Sequence, residues 1–300
     1  MTVDVVCGGP VFLDLTFEGL EALPGPGQER YARDLHATPG GAAITAIGLV
    51  RLGLRAAVAW PLGRDVPGAM LRSLLERERI VCAGPETERT PVTVVLPVED
   101  DRAFATFEPG ARVERALVER LAPRAVVTGM DQLHVVPVRA AAYVVVDDER
   151  ADRYALRPPD AIAGTRALVA NRSEALRLTG EATPDGAALA LAERVETAVV
   201  TCGAKGAVAC SNGELVRAAA PPVETRDTTG AGDLFLAAYV WGDLNGLPLA
   251  ERIRRAVVYA ALSVRTATGA AGAATLAELE AALAELDPTI VHEQSAKENL

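Results

Sequence analysis

Three hundred residues suffice for one large α/β domain with a small appendage. Half are hydrophobic, 23% charged and only 4% aromatic, so a Val/Leu/Ala core is expected rather than an aromatic-rich binding surface. The net charge of -10 argues against non-specific nucleic-acid binding and against an anionic membrane surface. It does not exclude a nucleotide, because local backbone donors can hold a phosphate within a globally negative protein.

Val3 to Cys7 reads as a short buried strand ending at Gly8-Gly9, and Val11 to Phe17 as a strand carrying Asp14 in its middle. The Met1-Thr-Val-Asp4 start has no basic n-region, and no apolar run approaches the ~20 residues that span a bilayer. Residues 23–29, rich in Pro and Gly, form a loop, and Gly40-Gly41 opens an alanine-rich helix to about Leu52, stopped by Gly53. A strand at Arg55–Trp60 and a helix at Val66–Arg77 follow. Thr93–Val98 and Arg102–Phe107 form a hairpin around the acidic turn Glu99-Asp100-Asp101.

Apolar strands near Ala125–Thr128, Ala141–Asp147, Ala167–Ala170 and Thr197–Thr201 then alternate with helical stretches, the pattern of a parallel sheet covered on both faces. Gly206–Cys210 and Glu214–Ala218 make a second hairpin around Asn212-Gly213. Helices at Ala231–Trp241, Leu249–Ala267 and Leu276–Leu286 close the fold, and the polar tail 287–300 is expected to fray. No repeat or linker divides the chain, so residues 1–300 read as a single domain. The strands within about 11–35 and 91–108 do not fit the parallel alternation and are expected to form a small separate sheet, a lid over a cleft. The alternative is that they are edge strands of the main sheet.

The four cysteines form no C-x-x-C, and His36, His134 and His292 stand at no ligand spacing from them. Four reduced thiols in a cytoplasmic protein are expected, rather than a zinc site.

The run Asp227-Thr228-Thr229-Gly230-Ala231-Gly232-Asp233 leads into the apolar helix beginning Leu234-Phe235-Leu236. Glycines before a helix let the backbone approach a ligand, and the free N–H groups of the first turn form a site for an anion. A carboxylate in that turn can take a proton from an attacking hydroxyl, which suits phosphoryl transfer. A glycine turn with a dipole-complementing Asp is the plainer alternative. The chain has neither G-x-x-x-x-G-K-[ST] nor G-x-G-x-x-G after its first strand, which argues against P-loop and dinucleotide-binding folds.

This run resembles the C-terminal signature of the ribokinase-like (PfkB-type) carbohydrate kinases. Four further segments agree in order: Gly40-Gly41 with its helix, Phe107-Glu-Pro-Gly-Ala111, Asn171-Arg-Ser-Glu174, and Thr201-Cys-Gly203-Ala-Lys-Gly206. The resemblance spans nearly the whole chain and implies a three-layer α/β/α sandwich with a mostly parallel central sheet and a small β-sheet lid. It implies ATP-dependent transfer of a phosphoryl group to a hydroxymethyl group of a small sugar or sugar-like acceptor. Lids of the family often form a homodimer by pairing strands, and the alternative is that the apolar run 93–98 packs on its own domain. Asp233 would be the general base, and the amides of Gly230, Ala231 and Gly232 the anion hole. Asn171 and Glu174 would organise Mg²⁺ through water; an N-cap Asn with a capping-box Glu fits the same spacing. Thr201, Gly203, Gly206 and Thr228 would line the nucleotide side. Asp227 falls where members often bind a monovalent cation such as K⁺. Asp14, Gly40, Gly41 and Thr45 would face the acceptor, although a solvent-facing Asp14 is the alternative.

Two departures stand out. Thr45 replaces the family's usual Asn in the sugar signature, losing the reach of an amide. Val257 or a neighbour replaces an Asn near the adenine, which leaves shape and backbone contacts to hold the base. A nucleoside kinase is a competing reading, though the scarcity of aromatics argues against it. A silent regulator that kept the fold is the other.

Overall fold

The computed structural model describes residues 2–98, 101–110, 112–266, 269–286 and 291–295. Glu99 and Asp100 of the expected acidic turn, Ala111, the helix end at Ala267 and tail residues 287–290 and 296–300 lie outside them.

The chain opens with β1 (Val5–Cys7), β2 (Val11–Glu18), β3 (Asp34–Gly41), α1 (Ala42–Arg51), β4 (Ala56–Val58), β5 (Leu62–Gly63) and α2 (Val66–Arg77). It continues with β6 (Val81–Cys82), β7 (Glu86–Thr87), β8 (Val92–Val98), β9 (Asp101–Phe107), α3 (Arg115–Leu121), β10 (Ala125–Gly129), β11 (Ala141–Val145) and α4 (Asp148–Arg153). Then come β12 (Ala167–Asn171), α5 (Arg172–Thr179), α6 (Pro184–Ala192), β13 (Thr197–Thr201), β14 (Ala207–Ser211), β15 (Glu214–Ala218), α7 (Ala231–Leu244), α8 (Leu249–Ser263), α9 (Leu276–Glu285) and β16 (Val291–Ser295).

Ten strands form the main sheet in the order β16-β15-β14-β13-β12-β11-β10-β1-β4-β6. From β6 to β13 every pairing is parallel, and β14 to β16 add an antiparallel margin. Alternate residues serve opposite faces. Ala167 and Val169 join the core beneath α1, α7, α8 and α9, while Leu168 and Ala170 join the core beneath α4, α5 and α6. This period of two explains the near-continuous apolar strands, since a centrally placed strand has no solvent face.

The chain leaves β1 for β4 on one side and later returns to β10 on the other. That reversal opens a crevice at the carboxyl ends of the strands, the place where α/β sheets bind ligands.

The early strands form a separate four-stranded sheet in the order β3-β2-β8-β9, as the broken alternation predicts. Its fourth member was not legible: Gly40-Gly41 end the strand β3, and the helix they were expected to open starts at Ala42. Of the tail read as frayed, Val291–Ser295 pairs with β15. The helix read as reaching Ala267 stops at Ser263, and the strand read to Asp147 stops at Val145, leaving Asp147 to cap α4.

Helix α7 is pinned at both ends. Near its C-terminus, buried Asp243 accepts hydrogen bonds from Tyr143 at 2.5 Å and Arg166 at 2.6 and 2.7 Å, and pairs with Arg252 at 2.7 Å. Burial alone would raise its pKa, but the bonds from Arg166 and Tyr143 outweigh that and lower it. Removing one partner of such a buried set costs about 3–5 kcal/mol. Near the N-terminus α1 crosses α7 at Gly48, where a Cβ would sit 2.7 Å from Ala237 Cβ. This close approach brings Thr45, one turn earlier on α1, to the first turn of α7.

Candidate active site

Gly230 caps α7 in the left-handed region at φ 76°, and a Cβ there would come within 3.0 Å of Ile44 and Gly269. Ala231 N–H reaches back 3.2 Å to the Thr228 carbonyl, and Gly232 stands exposed at the helix mouth. Asp233 follows in the same turn, where N–H groups and the helix dipole attract anions.

Thr45 Oγ1 donates to Asp233 Oδ1 at 3.1 Å. Thr45, expected to face the acceptor, is 1% exposed and lines the chamber around Asp233, with its hydroxyl spent on the carboxylate. Burial raises the Asp233 pKa to about 6, against the lowering effect of the Thr45 bond. A carboxylate poised there is mostly ionised at neutral pH and still basic enough to accept a proton. Cys7, at the end of β1, is buried against it: burial first, then the Asp233 charge, pushes the thiol up to about 12.

Asp14 lies on lid strand β2, its carboxylate folded over Gly40 so closely that a Cβ at Gly40 would meet Oδ2 at 2.0 Å. Burial and the neighbouring Asp233 charge raise its pKa to about 7, while a hydrogen bond with Thr93 opposes them. Two carboxylates that sense each other this way share one charged environment.

A cavity of about 400 Å³ surrounds Asp233, walled by Pro10, Phe12, Gly41, Thr45, Val127 and Leu236 on one side. On the other it reaches Asp147, Arg150, Asn171, Glu174 and Thr201. Asp14 and Gly40 do not line it and sit on the lid beyond Phe12 and Gly41. A second cavity of about 810 Å³ is lined by Thr201, Gly203, Gly206, Thr228, Ala231 and Gly232, and closed by Pro221, Pro222, Phe235, Val257, Ala261 and Val264. Val257 stands in this apolar stretch of the wall, and Arg172, Ser173 and Thr225 also line the cavity. Asn171, Thr201 and Gly232 line both cavities, so the two chambers meet at the helix mouth beside Asp233.

At that junction Asn171 caps α5. Its side-chain carbonyl accepts from Glu174 N–H at 2.9 Å, while Glu174 accepts from Asn171 N–H and Nδ2 at 2.6 Å each. The capping box is therefore built. Burial, with the charges of Asp148 and Asp147, raises the Glu174 pKa to about 7. A buried carboxylate raised by neighbouring carboxylates is a position that favours a divalent cation, and Mg²⁺ would approach it through its water shell. The residues present therefore fit that ion.

Among the chamber residues that no motif marks, Phe12 and Arg150 carry chemistry. Phe12 offers an aromatic ring, and Arg150 brings a cation braced by Asp131 at 2.7 Å and by Asp147. No local signal marks either. At the loop start, Asp227 is buried and accepts from Thr229 N–H at 2.7 Å and from Arg102 of β9.

The profile of the pfkB family carbohydrate kinases matches residues 4–276. Among curated relatives, the bifunctional protein HldE of Trichlorobacter lovleyi is 29% identical over 261 residues, 75% of this chain and 51% of that protein. The chain thus spans about half of that relative's length. Solved structures of similar fold include Arabidopsis thaliana ribokinase complexed with ribose and ATP, at TM-score 0.78 and 20% identity over 94% of this chain and 99% of that one. Escherichia coli phosphofructokinase-2 matches at TM-score 0.78 and 20% identity over 95% and 99%. With a family match over nearly its whole length, this chain belongs to the pfkB family of carbohydrate kinases.

Proposed function

We propose that the chain is an ATP-dependent kinase that moves the γ-phosphoryl group to a hydroxymethyl group of a small sugar or sugar-like acceptor. One observation carries this reading. Two cavities, one apolar and nucleotide-sized and one holding Asp233, meet at Gly232, where a helix mouth can hold the group in transit.

The acceptor occupies the chamber of Phe12, Gly41 and Asp233, with Asp14 reaching its hydroxyls from the lid. Asp233 takes the proton as the acceptor oxygen forms its bond to phosphorus, and the bond from phosphorus to the β,γ-bridging oxygen breaks to release ADP. The amides of Gly230 and Gly232, with that of Ala231 once it leaves the Thr228 carbonyl, stabilise charge developing on the transferring group. Asn171 and Glu174 would hold hydrated Mg²⁺, which when bound neutralises phosphate charge. Thr201, Gly203, Gly206 and Thr228 line the ATP side.

Phe12 in the chamber wall favours a nucleoside acceptor as a second reading, because a ring there can stack on a base. Exposed Leu35, Phe104 and Phe107 on the lid support a homodimer through that sheet, which a light-scattering mass of one chain would refute. All four cysteines are free thiols, which supports a reducing compartment such as the cytoplasm. No helix among the described residues is long and apolar enough to cross a membrane.

A panel of sugars, sugar acids and nucleosides with an ADP readout tests the reading. With the acceptor found, Asp233→Asn is expected to lower kcat by roughly 10²-fold or more while ATP still binds. Wild-type turnover in that variant would remove Asp233 as base. No ADP from any acceptor would favour a silent binding protein.

A further inference from the structure

The resemblance leads to a monovalent cation at Asp227; the fold brings a guanidinium there. Asp227 is 5% exposed and its Oδ1 accepts from Thr229 N–H and from Arg102 Nη1. The same Arg102 nitrogen donates to Thr229 Oγ1 at 2.7 Å. Arg102 comes from β9, the far strand of the lid. The N–H groups of Arg226 and Asp227 both donate to the Val264 carbonyl, at 2.7 and 3.0 Å, and the Arg226 side chain donates to Glu18 of β2 at 3.1 Å. Two consecutive residues of opposite charge are thus each met by an opposite charge from the lid.

A buried carboxylate requires a positive partner or several donors. Arg102 meets that requirement, and any further cation at the same oxygen would face the guanidinium charge at close range. We propose that Arg102 fills the role of the monovalent cation in this chain, so that the enzyme neither binds nor needs K⁺. Arg102 neutralises Asp227, braces Thr229, and so holds the loop that leads into Gly230 and the anion site. It is a positioning residue, acting through that loop, and it ties the lid to the head of α7.

This inference rests on the kinase reading for its turnover arm only. The full chain is melted in KCl and in N-methylglucamine chloride at equal ionic strength, beside Arg102→Ala. Wild type is expected to melt within about 1 °C in the two salts, while the variant melts lower and regains on the order of 2 °C in KCl alone. In turnover, wild type should change by less than about twofold with K⁺, whereas the variant falls on the order of tenfold. Potassium or guanidinium chloride should restore part of that loss by entering the vacated place. Saturable K⁺-specific stabilisation or activation of wild type overturns the proposal. So does an Arg102→Ala protein that responds to neither ion. Should that variant not fold, the wild-type comparison decides alone. A chain without turnover on any acceptor would sink the kinase reading and leave the melting comparison intact.

Discussion

Replacing Thr45 with valine keeps its volume close to constant and removes one hydroxyl, the donor to Asp233 Oδ1 at 3.1 Å. Asp233 has its pKa raised to about 6 by burial, and the Thr45 bond is what opposes that rise. A hydrogen bond to a charged acceptor contributes about 1.5–3 kcal/mol, and for a partly solvated carboxylate the low end applies. Because one pKa unit corresponds to about 1.4 kcal/mol, Asp233 in Thr45→Val should titrate near pH 7. The ionised fraction would then fall about fivefold at pH 6 and about twofold at pH 7, and would scarcely change at pH 8.5. The assay is kcat/KM for the acceptor against pH with direct ADP detection, since on the proposed reading this ratio follows the ionisation of Asp233 in the free protein. The acid limb should move by about one unit while the plateaus converge at high pH. A uniform loss of rate at every pH, with the limb unmoved, would refute Thr45 as the residue that tunes Asp233.

Gly40→Ala should displace Asp14, since its new methyl would fall 2.0 Å from Oδ2. The expected result is an acceptor KM raised on the order of tenfold with ATP affinity unchanged by calorimetry; an unchanged KM would separate Asp14 from acceptor binding. Thermal stability should also follow the buried carboxylates. Asp14 and Glu174 are raised to about 7 and Asp233 to about 6, so the folded state binds more protons than the unfolded chain between about pH 4 and 7. Stability from these groups therefore falls as pH rises through that window. The ligand-free protein should melt a few degrees higher near pH 5.5 than near pH 8. Glu18, held down at about 2 by His36 and Arg33, withdraws its contribution only at lower pH. A melting temperature that is flat or lower at pH 5.5 would contradict burial outweighing the hydrogen bonds at these three groups.

Much of the fold was legible because its elements are locally encoded. Helix α2 runs over Val66–Arg77 as its sequence predicts, capped by Asp65, which accepts from Gly68 N–H. Strand β13 likewise occupies Thr197–Thr201. Strand β3 was not legible, since Asp34–Gly41 holds a proline and two glycines and lacks alternation. It becomes a strand by pairing with β2 over eight positions, and it tolerates Pro39 because it is the edge of the lid. At Asn171 and Glu174 the spacing allowed a capping box or a phosphate-side metal position. The structure builds the first and leaves its carboxylate on the chamber wall.

The sequence by itself determined the make-up of the head of α7: a glycine turn, a helix N-terminus and a carboxylate within seven consecutive residues. Such a pattern needs only neighbouring φ/ψ preferences and the helix dipole, both local properties. The tertiary structure alone decided what surrounds that carboxylate. Thr45 is 188 residues from Asp233 and Arg102 is 125 from Asp227, and nothing in either segment announces its partner. Their meeting depends on α1 crossing α7 at Gly48 and on the lid sheet folding over the loop, and only the packed molecule sets those distances.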